Sequence, residues 1–354
     1  MKVEFEPEQE ALRQAVRRVF EKHLGPERLR QLWDSETGRD EELWGRLAEI
    51  GLPALLIPSE HGGLDADELD MFLALEEAGR AALPDAVVES WLLAPALLGG
   101  AGDADLAGLW LPRLAAGTAR ATVVFDGGTL AADAHLSDLV LVESGGQVVA
   151  YERADLVLTP VASMTPGQRL FRIVPQEGAG VVIGSGGLAL ARSRRAVGSA
   201  ALLGGLSAYL IERAVEYAMV REQFGRIIGS FQAVKHMLAG AASLNALARH
   251  ASVAATFEVA RRRADHGDAA TLAHVCAIDA ARESNRVCLQ VHGGIGFTWE
   301  HDLQIWLKHG KSLELAYGSR REAAWAAGQQ ALAARSCERC ETLPSRRTSA
   351  TPVP

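Results

Sequence analysis

The chain has 354 residues, 48% hydrophobic, 23% charged and only 6% aromatic, which excludes a disordered or fibrous protein and suits two or three domains with sizeable cores. A formal net charge of −8 and a pI near 5.7 argue against a protein that coats nucleic acid. The basic clusters Arg192–Arg194–Arg195 and Arg261-Arg262-Arg263 read instead as solvated helix ends, with local phosphate sites as the alternative. Along the chain, residues 8–33 place Leu12, Val16, Val19, Phe20 and Leu24 at helical spacing among charges. A second helix is predicted near 41–50, with Gly51 placed to stop it. An apolar stretch from Leu55 ends in the turn Gly62-Gly63. Residues 67–83 and 87–98 read as two more helices, bounded by Pro84 and Gly99-Gly100, and 106–114 as a further short helical turn. The texture changes after Gly117. Short β-rich runs at 121–125, 139–142, 147–151 and 170–174, separated by Gly127-Gly128, Gly145-Gly146 and Pro166-Gly167, predict a small antiparallel domain of five or six strands.

From about residue 190 the helical period returns. Leu202, Leu206, Tyr209, Leu210, Ala214 and Tyr217 line one long helix, and Val234, Leu238, Ala241, Leu244 and Ala248 the next. Residues 269–291 and 303–330 complete the set of four that marks a bundle. The expected organisation is a helical domain over 1–118, a reduced β-domain over 119–185 and a four-helix bundle over 186–335. A disordered Pro-, Ser-, Thr- and Arg-rich tail is expected over 336–354. No apolar run is long enough to span a bilayer. The opening Met1-Lys2-Val3-Glu4-Phe5-Glu6 has neither a signal-peptide core nor a transit-peptide composition, so a cytoplasmic location is expected. Four cysteines do not make a disulfide framework. The pair Cys337 and Cys340 has no second ligand pair beside it, so no metal site is expected.

Two segments of the bundle carry chemistry. In Arg221-Glu222-Gln223-Phe224-Gly225-Arg226-Ile227-Ile228-Gly229-Ser230-Phe231-Gln232, Arg221 offers a guanidinium fork suited to a pyrophosphate, with Gln223 beside it. In Gln290-Val291-His292-Gly293-Gly294-Ile295-Gly296-Phe297, the glycines remove side chains where backbone must approach a bulky ligand. These two segments closely resemble the R-x-Q-F-G and Q-x-x-G-G signatures of flavin-dependent acyl-CoA dehydrogenases. Leu43-Trp44 through Gly51-Leu52, Pro58 with Gly62-Gly63, and Trp110-Leu111-Pro112 with Gly117 resemble segments of the same family's first domain. The resemblance runs from about Phe5 to Gln330.

The resemblance implies a mainly helical fold with a small middle β-domain, FAD as cofactor, and α,β-dehydrogenation of an acyl-CoA thioester. FAD would lie between subunits, with Arg221, Gln223, Phe224, Ile228, Phe231, Gln290, Gly293 and Gly294 serving the neighbour's flavin. It also implies an electron-transfer flavoprotein or similar acceptor. Two departures stand out. The family's catalytic glutamate falls on Tyr317 at one of its two known locations and on Ala196 at the other, and neither is an acid. The strands that cover the flavin ring are shortened near Phe125–Gly128. The pattern resembles the base-less subunit of heteromeric acyl-CoA dehydrogenases that actinobacteria use on bulky substrates such as steroid side chains. There a companion acyl-CoA dehydrogenase-like subunit carries the glutamate, in an α2β2 assembly. Two other readings stay open: a self-sufficient homo-oligomer with a displaced base, for which Glu314 is the candidate, and a non-catalytic flavin- or acyl-CoA-binding paralogue.

Overall fold

A computed structural model describes residues 4–263 and 266–341. The N-terminal part comprises α1 (Pro7–His23), α2 (Pro26–Asp34), α3 (Glu41–Glu49), α4 (Glu68–Arg80), α5 (Ala94–Gly99) and α6 (Ala104–Ala115). The single helical pattern read over 8–33 divides into α1 and α2 because Gly25 and Pro26 interrupt it, with Pro26 at the first turn of α2. Helix α3 starts where the Asp40 carboxylate accepts from the Glu42 and Leu43 amides and stops at Gly51 in the left-handed region. The helix expected over 87–98 opens as a π-helical turn, Val88–Leu93, before α5. Helix α6 is longer than the short turn expected there.

The middle region holds β1 (Ala121–Val124), β2 (Leu130–Ala132), β3 (Leu139–Ser144), β4 (Gln147–Glu152), β5 (Leu156–Val161), β6 (Leu170–Pro175) and β7 (Val181–Gly184). These form two small sheets, ordered β1-β3-β4-β7 and β2-β6-β5. Pairing is antiparallel as expected, except that β1 runs parallel to β3. The chain reaches that parallel register by sending β2 across to the second sheet, which also makes more strands than the sequence runs suggested.

The C-terminal part comprises α7 (Leu188–Val220), the hairpin β8 (Glu222–Gln223) and β9 (Arg226–Ile227), α8 (Gln232–Ala260), α9 (His266–His292), α10 (Leu303–Ala316) and α11 (Arg320–Glu341). The fourth long helix expected over 303–330 is interrupted: Gly318 has φ +106°, a conformation no helix continues through, so α10 ends at Ala316. The backbone of α11 remains helical through Glu341, which corrects the tail expected from residue 336. Residues 342–354 of that tail lie outside the described residues.

Helix α4 joins the N-terminal part to the bundle. It is buried on nearly every face, and three of its glutamates are buried with arginines from surrounding helices. Glu77 meets Arg13 and Arg17 of α1 at 2.8 and 2.7 Å. Glu76 meets Arg249 of α8 at 2.6 Å, and Glu68 meets Arg194 of α7 at 2.7 Å and Arg262 at 2.9 Å. Burial works to raise the Glu68 carboxyl, but Arg194 and Arg262 hold it below its ordinary value. Between the N-terminal and middle parts, buried Arg39 binds both oxygens of Asp133 and donates to the carbonyls of Gly38 and Gly167 at 2.7 and 2.9 Å.

The approach of α4 to α7 is set by glycine. A Cβ on Gly205 would lie 1.8 Å from the Glu76 carbonyl oxygen, and one on Gly79 would lie 1.9 Å from that of Leu202. Gly205→Ala should therefore force the helices apart and cost about 3 kcal/mol or more. Gly204→Ala, whose Cβ meets nothing within 4 Å, should be neutral or gain up to about 1 kcal/mol. Urea unfolding midpoints compare the two; equal midpoints would show that the contact does not govern packing.

Candidate functional site

Two separate places on the bundle gather the residues singled out by sequence. The first is the far end of α7. Arg221 caps that helix, its amide donating to the Tyr217 carbonyl at 2.9 Å. The chain then turns through β8 and β9, with Phe224 at φ +52° and Gly225 at φ +75°. Two consecutive left-handed residues are what a two-residue type I′ hairpin demands, and the Phe-Gly pair of the motif supplies them. The turn thrusts Phe224 into solvent, 92% exposed, while Phe231 meets its edge at 6.1 Å and carries the Arg226 guanidinium at 4.1 Å from its centroid. Ile228 tucks back, its amide donating to the Arg221 carbonyl at 2.8 Å.

The second motif lies against the last turn of α7. The Tyr217 ring stacks on His292 at 4.4 Å, so the last turn of α7 and the end of α9 are clasped together. His292 is fixed in turn by a 2.8 Å hydrogen bond between its Nδ1 and the Cys288 carbonyl. Immediately beyond it, Gly293 takes φ +65° and ends α9, and a Cβ on Gly293 or Gly294 would meet nothing within 4 Å. Arg221, Gln223 and Gln290 are exposed, and no ion pair of Arg221 is found among the described residues. Gln223 donates only to its neighbour's carbonyl, Glu222, at 2.7 Å. Phe297 (76%) and Trp299 (57%) extend the exposed aromatic surface. An available guanidinium, two amides and bare glycine backbone suit a pyrophosphate chemically, and the solvent-facing aromatics form an apolar patch beside them.

The second place is a cavity of about 330 Å³ at the other end of α7, among Glu89, Leu93, β1, Arg195, Ala316 and Tyr317. The break at Gly318 leaves Tyr317 at the end of α10, and its hydroxyl donates to Glu89 Oε2 at 3.2 Å. Burial pushes the Glu89 carboxyl up to about 7, against the opposing influence of Tyr317 and Arg195. Burial and then the Glu89 carboxylate push the Tyr317 phenol well above its ordinary value, so it stays protonated and serves as a donor, not a base. Glu89 was not singled out from sequence. It lies in an apolar run, Val87-Val88-Glu89-Ser90-Trp91-Leu92-Leu93, and a lone acid in such a run was the signal available.

Glu314 lies elsewhere. Its side chain is buried on α10, where Arg282 donates through Nε at 2.6 Å and through a second nitrogen, and Lys311 donates at 2.7 Å. Burial works to raise its carboxyl, but those hydrogen bonds and charges hold it below the ordinary value. Two cations around one carboxylate make a structural anchor and a poor proton acceptor. Ala196 is half-buried and packs beside Val197, Val259 and Ala270. Among the described residues no group of His, Cys, Asp or Glu is arranged to hold a metal, and no helix is long and apolar enough to cross a membrane.

Comparison with known proteins gives a consistent result. The family model of the acyl-CoA dehydrogenase N-terminal domain matches residues 6–118, and that of the C-terminal domain matches residues 183–323. The chain is 34% identical over 308 residues to the acyl-CoA dehydrogenase IpdE2 of Mycobacterium tuberculosis, covering 86% of this chain and 92% of that protein. It is 33% identical to IpdE2 of Mycolicibacterium smegmatis, over 89% of this chain and 96% of that one. Among solved structures it resembles the ChsE4-ChsE5 complex from Mycobacterium tuberculosis, with a TM-score of 0.84 at 22% identity over 94% of this chain and 99% of that chain. A steroid enzyme described as the Tcur3481-Tcur3483 steroid ACAD G363A variant gives the same TM-score at 21% identity, over 93% and 99%.

The Glu89 environment makes a pH-dependent prediction. A carboxyl whose folded pKa is raised contributes stability that is complete below its unfolded value, near 4.5, and is lost as pH rises through about 7. Glu89→Gln imitates the protonated form. It should leave stability unchanged near pH 4.5 and add about 3 kcal/mol by pH 8. Chemical denaturation at both pH values measures this, and an identical difference at both would show that Glu89 is not held neutral.

Proposed function

The chain belongs to the acyl-CoA dehydrogenase family, and on that premise we propose that it is the cofactor-lending subunit of a heteromeric FAD-dependent dehydrogenase. It acts on the CH–CH bond of an acyl-CoA thioester. A companion acyl-CoA dehydrogenase-like subunit supplies the catalytic carboxylate, in an α2β2 assembly, and an electron-transfer flavoprotein or similar protein accepts the electrons. When bound, FAD takes the hydride that leaves Cβ of the acyl chain. In this reading Arg221 pairs with the pyrophosphate, while Gln223 and Gln290 hydrogen-bond beside it. Gly293 and Gly294 let the backbone approach, and Phe224, Ile228 and Phe231 pack against the cofactor from the neighbour's side. The relatives' printed names, which include a ChsE4-ChsE5 complex and a steroid enzyme, support a heteromeric partner and a bulky substrate such as a steroid side chain. A cytoplasmic location fits this chemistry.

The observation that carries the proposal is the contrast between the two ends of α7. The outward-facing end keeps its motif residues exposed and unspent. At the inward end, a phenol that burial keeps protonated stands where the family places its base. A proton at Cα needs a carboxylate held within reach, and Glu314, the displaced candidate, is already committed to Arg282 and Lys311. A self-sufficient enzyme would need one of these groups, or Glu89 beside Tyr317, to take the proton.

Anaerobic bleaching of the flavin by acyl-CoA tests this directly, first with the chain alone and then with its companion. Bleaching is expected only in the mixture, and Glu314→Gln should change its rate by well under tenfold. Bleaching by the chain alone, slowed about 10²–10⁴-fold in Glu314→Gln or Glu89→Gln, would replace this reading with a self-sufficient enzyme.

Arg221→Ala should weaken flavin retention in the assembled complex roughly 10- to 100-fold, the equivalent of losing ~1.5–3 kcal/mol of charge-assisted hydrogen bonding. Arg221→Lys should restore part of it, because an ammonium cannot fork. Flavin fluorescence during dialysis reports the occupancy, and undiminished retention in Arg221→Ala would remove the pyrophosphate assignment.

A further inference from the structure

We propose that a second cavity, at the junction of α1, α2, α4, α7 and α10, binds a planar aromatic carboxylate of a single ring. It encloses about 250 Å³ among Phe20, Leu24, Pro26, Tyr209, Arg213 and Trp306. Tyr209 lies roughly 18 Å along α7 from Arg221 and roughly 21 Å from Arg195, at about 1.5 Å per residue. The cavity is therefore separate from both the cofactor-facing motifs and the space beside Glu89.

The floor is apolar and aromatic. Tyr209 stacks on Trp306 with ring centroids 4.4 Å apart and planes 20° from parallel. The Trp306 indole N–H is spent on the Arg80 carbonyl at 2.8 Å, so Trp306 offers the cavity carbon alone. Phe20, Leu24 and Pro26 continue the wall from the end of α1 into α2. A flat ring gains face and edge contacts against such a pair, where a puckered ring of the same carbon count gains fewer. The volume lies below the range for drug-sized ligands, which limits the occupant to one ring and a small substituent.

The rim supplies donors without matching acceptors. The guanidinium groups of Arg80 and Arg213 lie 5.7 and 5.2 Å from the Tyr209 centroid, and Arg17 lines the same opening. Arg80 is paired with Glu212 and Arg213 with Glu216, but those acids are 46% and 58% exposed and do not line the cavity. Pairs of that kind hold a cation weakly. Arg213 commits only its Nη2 to Glu216, and its Nε is buried without a partner. The Tyr209 hydroxyl has no hydrogen-bond partner among the described residues. Of the acids on the cavity wall, Glu77 is already held by Arg13 and Arg17 at 2.8 and 2.7 Å, and Glu21 is exposed at the edge. A ligand that satisfies these donors brings acceptors and negative charge, and a carboxylate matches the fork of a guanidinium. Joined to the flat apolar ring that the floor favours, it is an aromatic carboxylate.

The test is calorimetric titration of the full chain, in the assembly in which it purifies, with sodium benzoate. Benzamide keeps the ring and loses the charge, cyclohexanecarboxylate keeps the charge and loses the flat ring, and inorganic phosphate is the ringless anion. Benzoate should bind in the millimolar range or tighter, and each control about tenfold more weakly or not at all. Arg213→Gln, a change at a half-exposed side chain, should weaken benzoate by about tenfold or more. Tyr209→Phe should weaken it about threefold, the share of one neutral hydrogen bond. Glu21→Gln removes the opposing charge at the edge and should tighten it about twofold. Absence of millimolar binding, equal binding of benzamide or cyclohexanecarboxylate, or full benzoate binding in Arg213→Gln would each overturn the proposal. The wild-type titrations against the three controls decide it even where a variant does not fold.

Discussion

Backbone contact between α4 and α7 is the constraint on which the rest of the molecule depends. Two glycines, Gly79 and Gly205, let each helix press against a carbonyl of the other. At that distance there is no room for intervening side chains, so polar groups on the flanks of α4 must be satisfied inside the protein. Glu68, Glu76 and Glu77 are paired with arginines from α1, α7, α8 and the turn that follows α8. Buried pairs of this kind add little net stability by themselves, because desolvation cancels much of the attraction. Their effect is on register: a carboxylate with a defined guanidinium partner tolerates neither a rotated nor a shifted helix.

That register positions α7 as a rod, with each end doing different work. At its start, Arg194 is consumed by Glu68 and Arg192 by Asp126 and Glu143, which leaves Arg195 pointing its charge at the cavity. At its finish, the stack of Tyr217 on His292 carries the end of α9 to the same place as Arg221. Motifs about 70 residues apart in sequence thereby share one surface. The I′ turn at Phe224-Gly225 then projects the Phe224 ring from that surface into solvent.

How far this was legible from residues alone follows from the range of the signals. Helices α7, α8 and α9 are long, and their periodic leucines and alanines announce them. The motifs at Arg221–Phe231 and Gln290–Gly294 are local strings whose chemistry survives reading one letter at a time. Breaks were harder. A single glycine at 318 looked tolerable inside a helical pattern, yet its positive φ ends α10 and places Tyr317 at the cavity. The parallel pairing of β1 with β3 was hidden as well, since it depends on β2 crossing to the other sheet, a tertiary choice no hydrophobic alternation encodes. The surroundings of Glu314, a candidate base, and of Glu89, which drew no notice, were out of reach for the same reason. The partners of an acid come from distant segments, Arg282 in one case and Tyr317 and Arg195 in the other.

The acids of this fold sort themselves by the number of cations that reach them. Glu68 has two arginines, and Glu314 has one arginine and one lysine. Both stay ionised despite burial and anchor helices. Glu89 has one phenol at hydrogen-bonding distance and a guanidinium that acts on it only through space, so burial prevails and its proton is held weakly near neutral pH. All three are buried glutamates on helical segments, and composition or propensity would treat them alike. What separates an anchor from a titrating group is whether a second donor arrives. At Glu89 the second donor is missing because Arg195 leans over Phe125. The turn that follows β1 places Phe125 and Gly128 on the wall of that cavity.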